Sequence, residues 1–108
     1  MAKWFAESEI VGLSSMLVDG LDQAREIAGV PFAITCGFVE TLGSHVEHSA
    51  HLHGLAVDIR CWDSWSRAKI LPALLEAGFR RIGIYDRHIH ADIDYSLPHP
   101  VLWLGISK

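Results

Sequence analysis

Four histidines stand in two close pairs. His51 and His53 lie in SAHLHGLAVDI, Ser49 to Ile59, which also carries Asp58; His88 and His90 lie in DRHIHADID, Asp86 to Asp94, with Asp92 just beyond them. Imidazole nitrogen and carboxylate oxygen are the donors a catalytic zinc takes, typically three from the protein with a fourth position open to water. His51, Asp58 and His90 can meet that need from three separate segments. A histidine taken singly is more often a hydrogen-bonding surface or core residue than a ligand, so the case depends on how the chain delivers all three.

The alternation of side chains shows how two of them are carried. In GLAVDIR, Leu55, Val57 and Ile59 fall on one side of a strand, while Gly54, Ala56 and Asp58 share the other. Asp58 thus projects from a face kept open by small neighbours. In HIHADID, His88, His90, Asp92 and Asp94 lie on one side and Ile89, Ala91 and Ile93 on the other, so one face is core and one is chemistry. Ionisable side chains in a row need a partner, water or a metal, because burying a bare charge costs several kcal/mol or more. VETLGSHVEHSAH, Val39 to His51, has neither helical nor strand periodicity and reads as the surface loop that brings in His51.

The remaining segments supply the scaffold. Leu13, Met16, Leu17, Leu21, Ala24 and Ala28 recur at helical spacing, with Ser14 as cap and Gly29 and Pro31 as the stop. PFAITCGF suits a buried strand from Phe32 to about Thr35. A second helix runs from Trp65 to about Ala77, capped by Asp63 or Ser64 and stopped by Gly78, with Ala68, Leu71, Leu74 and Leu75 inward and a kink or break expected at Pro72. RRIGIYD and HIHADID form a hairpin turning near Asp86 and Arg87, and the apolar tail LPHPVLWLG packs back onto the domain. Trp62 and Trp65 read as core anchors.

The elements describe one α+β domain spanning residues 1–108, with two main helices packed on a small, largely antiparallel sheet. A cupin-like barrel would also explain paired histidines, but helices interleaved with few strands do not build one. With 20% charged residues and half hydrophobic, the chain has the composition of a folded module rather than a disordered one. No apolar run reaches membrane-spanning length, so no membrane insertion is expected. A net charge of −4 without basic clusters gives nucleic acid no footprint. Cys36 and Cys61 read as free, buried thiols, with a single bridge between them as the alternative. MAKWFAESEIVG does not resemble a signal peptide, so synthesis in the cytoplasm is expected, by a chain acting as a monomer.

SAHLHGLAVDI resembles the serine, histidine, glycine, alanine, aspartate signature of the zinc peptidases that include D-Ala-D-Ala carboxypeptidases and phage L-alanyl-D-glutamate endopeptidases, whose scaffold recurs in the Hedgehog signalling domain. HIHADID resembles the closing histidine motif of that family, and the likeness runs from about Glu7 to Trp103. The resemblance implies a Hedgehog/DD-peptidase-like fold, one zinc ion held by His51, Asp58 and His90, and hydrolysis of a peptide bond in the peptidoglycan stem. It further implies action on the cell wall after release from the cell, as phage enzymes act. Ser49 and Asp92 then support the ligands, and His53 stands at the surface or behind them. His88 either donates to a tetrahedral oxyanion or orients a ligand. Relatives place an acidic base three residues before the last ligand; that position here is Arg87, which makes Asp86 the candidate base. Where the family reads SGYR this chain reads CGFV, Cys36 to Val39, so Arg60 or Arg87 becomes the candidate for holding a substrate carboxylate. The rival expectation is a non-catalytic zinc module of the same fold that binds wall peptide or a protein partner.

Overall fold

A computed structural model describes residues 2–37 and 53–106. Its elements are α1 (Glu7–Ile10), α2 (Ser15–Ala28), β1 (Ile34–Cys36), β2 (Ala56–Arg60), α3 (Ser64–Glu76), β3 (Arg81–Ile84), β4 (His88–Asp92) and β5 (Val101–Leu104). The strands form one sheet in the order β1-β2-β4-β3-β5, antiparallel except for the parallel pair β3 and β5. The α+β architecture read from the sequence is the one observed.

Helix α2 starts where the Ser14 side chain accepts the Leu17 amide at 3.1 Å, and it ends at Gly29, whose φ of 70° is left-handed. It buries Leu17, Val18, Leu21 and Ala24. Met16, expected on that face, is exposed, and Val18 takes the place next to Leu17. In α3 the Asp63 carboxylate caps the Ser66 amide at 2.6 Å, and the helix passes through Pro72 without a break. The inward residues are Ile70, Ala73 and Leu74, so the buried stripe is rotated from the expected one; Ala68 and Leu75 face outward. Packing of that stripe against α2 holds the helix across the missing proline donor, since each fully buried large aliphatic side chain contributes about 1.5–3 kcal/mol.

The core lies between these helices and one face of the sheet, where Val57, Ile59, Ile82, Ile89 and Ala91 meet Leu17, Leu21, Ile70, Leu74 and Phe79. Strand β1 begins two residues later than expected, at Ile34. Two short elements escaped the sequence reading. Helix α1 has a single turn, too short for periodicity, and the tail forms a true strand, β5, rather than merely packing. Trp62 and Trp65, expected as core anchors, are 65% and 63% exposed, while Cys61 and Ile70 are buried in the core. No disulfide joins Cys36 and Cys61, and of the two only Cys61 is fully buried. Burial pushes the Cys61 thiol pKa up, which keeps it protonated and unreactive.

Strand β2 is anchored at its entry. A side chain on Gly54 would collide with the Gly12 carbonyl, and the Gly54 carbonyl accepts the Ser14 amide at 2.9 Å. The glycine of SAHLHGLAVDI therefore lets the chain press against the start of α2, fixing where β2, the strand that carries Asp58, begins.

Candidate metal centre

The face opposite the core carries the polar residues in rows set by strand register. Asp58 pairs with His90, His90 with Gly83, and Gly83 with Trp103, so one row crosses β2, β4, β3 and β5. The row on one side holds Ala56, Asp92, Arg81 and Val101; the row on the other holds Arg60 and His88, with Tyr85 beside His88 through a 2.9 Å backbone hydrogen bond.

His90 is held by carboxylates at both ring nitrogens. Its Nδ1 lies 3.1 Å from Asp58 Oδ1 and its Nε2 lies 2.7 Å from Asp92 Oδ2. Asp92 is 1% exposed, yet fully provided for: its Oδ1 accepts Arg81 Nε at 2.8 Å and the Asp94 amide at 3.1 Å. Arg81 in turn donates to the Pro98 carbonyl at 2.6 Å, which fixes the guanidinium behind the carboxylate. Burial alone lowers the His90 pKa, but the hydrogen bonds and charges of Asp58 and Asp92 together outweigh it and hold the imidazole above its ordinary value. His88 completes the group, its Nε2 3.9 Å from Asp58 Oδ2 and its ring stacked on Tyr85 with centroids 4.4 Å apart.

These contacts bring together Asp58, His88, His90 and Asp92 from the sequence-derived site. His51 and Ser49 lie outside the described residues, and among the described residues no set of three histidine, cysteine, aspartate or glutamate side chains is arranged to hold a metal. Two of the described side chains, Asp58 and His90, are of the types zinc takes. Two ligands bonded at about 2.0–2.1 Å in a tetrahedron stand ~3.3 Å apart; Asp58 Oδ1 and His90 Nδ1 are 3.1 Å apart. Asp92 on Nε2 occupies the place of the outer carboxylate that fixes a histidine tautomer, and Nδ1 faces Asp58.

Other expected residues stand further out. Asp86 sits in the turn between β3 and β4 with its side chain 56% exposed, 4.0 Å from the Arg87 guanidinium. Arg87 is exposed, and Arg60 is exposed with its guanidinium over the Trp62 ring at 5.3 Å. His53 is exposed as well. Asp94, expected in the row with Asp92, lies beyond the end of β4 and turns the chain, its carboxylate accepting the Ser96 amide at 3.3 Å and the Ser96 hydroxyl. The residues missed from sequence are Arg81, Tyr85 and Trp103. The signal for the first two was available, since Arg81, Gly83 and Tyr85 alternate onto one side of RRIGIYD. Trp103 needed the unrecognised strand β5.

Neither a protein-family model nor a curated protein sequence matches the chain. A solved structure does match in shape. The L-Ala D-Glu endopeptidase ChiX of Serratia marcescens superposes with a TM-score of 0.63 at 21% identity, over 89% of this chain and 90% of that one. The two share a fold. None of the described helices is long and apolar enough to cross a membrane.

Proposed function

We propose that the chain is a zinc-dependent peptidase that cuts a peptide bond in the peptidoglycan stem. The observation that carries this reading is the Asp58–His90–Asp92 arrangement, in which two ligand atoms stand at zinc-like separation and a buried carboxylate fixes the imidazole. Shared fold with an L-Ala D-Glu endopeptidase supports the choice of substrate class.

On this reading His51, Asp58 and His90 hold the ion, with Asp92 and Ser49 behind them. Bound zinc supplies Lewis acidity toward the scissile carbonyl and lowers the pKa of its water toward about 7. The chain supplies the rest. Of the two groups able to take the proton of the attacking water, His88 is favoured. Its Nε2 faces the Asp58 carboxylate and stacking on Tyr85 holds its ring, whereas Asp86 stands in an exposed turn beside Arg87. The proton is then passed to the departing amine. Arg60 and Arg87, exposed beyond the His88 end of the row, are the cations available to a substrate carboxylate. The setting is the cell wall, reached after release from the cell in the manner of phage enzymes, with one monomeric domain at work.

The test is release of soluble muropeptides from purified peptidoglycan, with and without a chelator, followed by mass-spectrometric identification of the new ends. Cleavage abolished by chelation and restored by zinc is expected. Binding to the wall without chelator-sensitive cleavage would select the rival, a non-catalytic zinc module.

A further inference from the structure

Two glycines on the histidine face lie beneath aromatic rings. A Cβ on Gly83 would come within 2.5 Å of Trp103 Cε2 and 2.6 Å of its Nε1, and a Cβ on Gly105 would run into the Tyr85 ring. Gly83 is the cross-strand partner of both His90 and Trp103. The indole therefore lies over β3 and brings its ring to 5.5 Å from the His90 ring. From there Trp103 Nε1 donates to the Tyr85 hydroxyl at 3.1 Å, while the Tyr85 ring rests on His88. Tyr85 starts in the row of His88, but its hydroxyl is drawn to the indole nitrogen of Trp103, the ring that stands 5.5 Å from His90.

The direction of that hydrogen bond is fixed by chemistry. An indole N–H can only donate, so the phenol oxygen is the acceptor and its own hydrogen remains to be given. Among the described residues none accepts it. Polarisation by the indole makes that O–H a better donor, and the half-buried setting strengthens the effect.

We propose that Tyr85 is a substrate-contacting residue of the histidine site, donating its phenolic hydrogen bond to the carbonyl oxygen of the bond under attack, and that Trp103 is the positioning residue that aims it. This rests on the hydrolase reading above. No proton changes hands: the hydroxyl stabilises negative charge growing on the oxygen as water adds to the carbonyl carbon, and it keeps its hydrogen throughout. The two glycines are then part of the site, because any side chain at either would displace the ring that sets the hydroxyl.

The experiment measures kcat and KM on a synthetic stem peptide containing an L-Ala–D-Glu bond, for zinc-loaded wild type, Tyr85→Phe, Trp103→Phe and the double variant, together with zinc content and Tm. Removing one such donor costs about 10²–10³ in kcat, so Tyr85→Phe is expected to lose about 100-fold with KM, zinc content and Tm retained. Trp103→Phe loses about tenfold, and the double variant is no slower than Tyr85→Phe, because both act through one hydroxyl. Wild-type cleavage that survives Tyr85→Phe undiminished, losses that multiply in the double variant, or a loss that follows zinc content or Tm would overturn the role of Tyr85 alone. A zinc-loaded wild type that cleaves no stem peptide would overturn the hydrolase reading and this role together.

Discussion

Asp92 Oδ2 stands 2.7 Å from His90 Nε2, so one ring nitrogen of the imidazole is taken by a buried carboxylate. The carboxylate is buried, accepts Arg81 Nε at 2.8 Å and is placed to accept a hydrogen from Nε2. Nδ1 is left facing Asp58. Asp92→Asn keeps the shape but removes the charge, leaving Arg81 without its carboxylate. Zinc affinity should fall by about 10–100-fold, the usual cost of losing an outer-shell carboxylate. Stability should fall by about 3–5 kcal/mol, as when a buried ion pair loses one partner. Competition against a chelating dye and a denaturant titration read the two effects; unchanged zinc affinity would show that Asp92 does not support a ligand.

The raised His90 pKa gives the metal-free protein a defined pH dependence. A protonated imidazole between Asp58 and Asp92 stabilises the fold, and that contribution is complete below the ordinary histidine value of 6.5 and is lost as pH rises through the higher folded value. Tm of the metal-free protein should therefore fall as pH rises from the ordinary value of 6.5 through the raised folded value. Zinc must displace the same proton, so its affinity should rise across the interval. A metal-free Tm that climbs over this range would contradict the assignment.

His88 and Asp86 make separable predictions. General base removal typically costs about 10²–10⁴ in rate, and that loss is expected for His88→Ala. Asp86→Ala should fall by less than about tenfold, since its carboxylate stands in the exposed turn. Muropeptide release by the two variants, at matched zinc content, decides between them; the reverse order would give the proton transfer to Asp86.

Period-two alternation placed Asp58, His88, His90 and Asp92 on one face before any coordinates, because a strand with one apolar face leaves its polar set no other side. Helix ends were legible for the same local reason: Ser14, Asp63 and Gly29 act through their own neighbours. What failed depended on partners distant in sequence. The inward stripe of α3 is chosen by its packing on α2, which is why Ile70 and Ala73 displaced Ala68 and Leu75. β5 is a four-residue strand whose pairing with β3 crosses a long interval of chain, so Trp103 gave no sign of lying over Gly83. Alternation gives Arg81 its face, but its place behind Asp92 comes from the register between β3 and β4.

The most direct measurement is a crystal structure of the zinc-loaded protein with anomalous data collected at the zinc edge. A single peak is expected about 2.0–2.1 Å from His90 Nδ1, an Asp58 oxygen and a His51 nitrogen, with a fourth position facing Tyr85 and His88. A peak at other residues, or zinc-loaded crystals in which Asp58 Oδ1 and His90 Nδ1 still touch with no metal between them, would contradict the account.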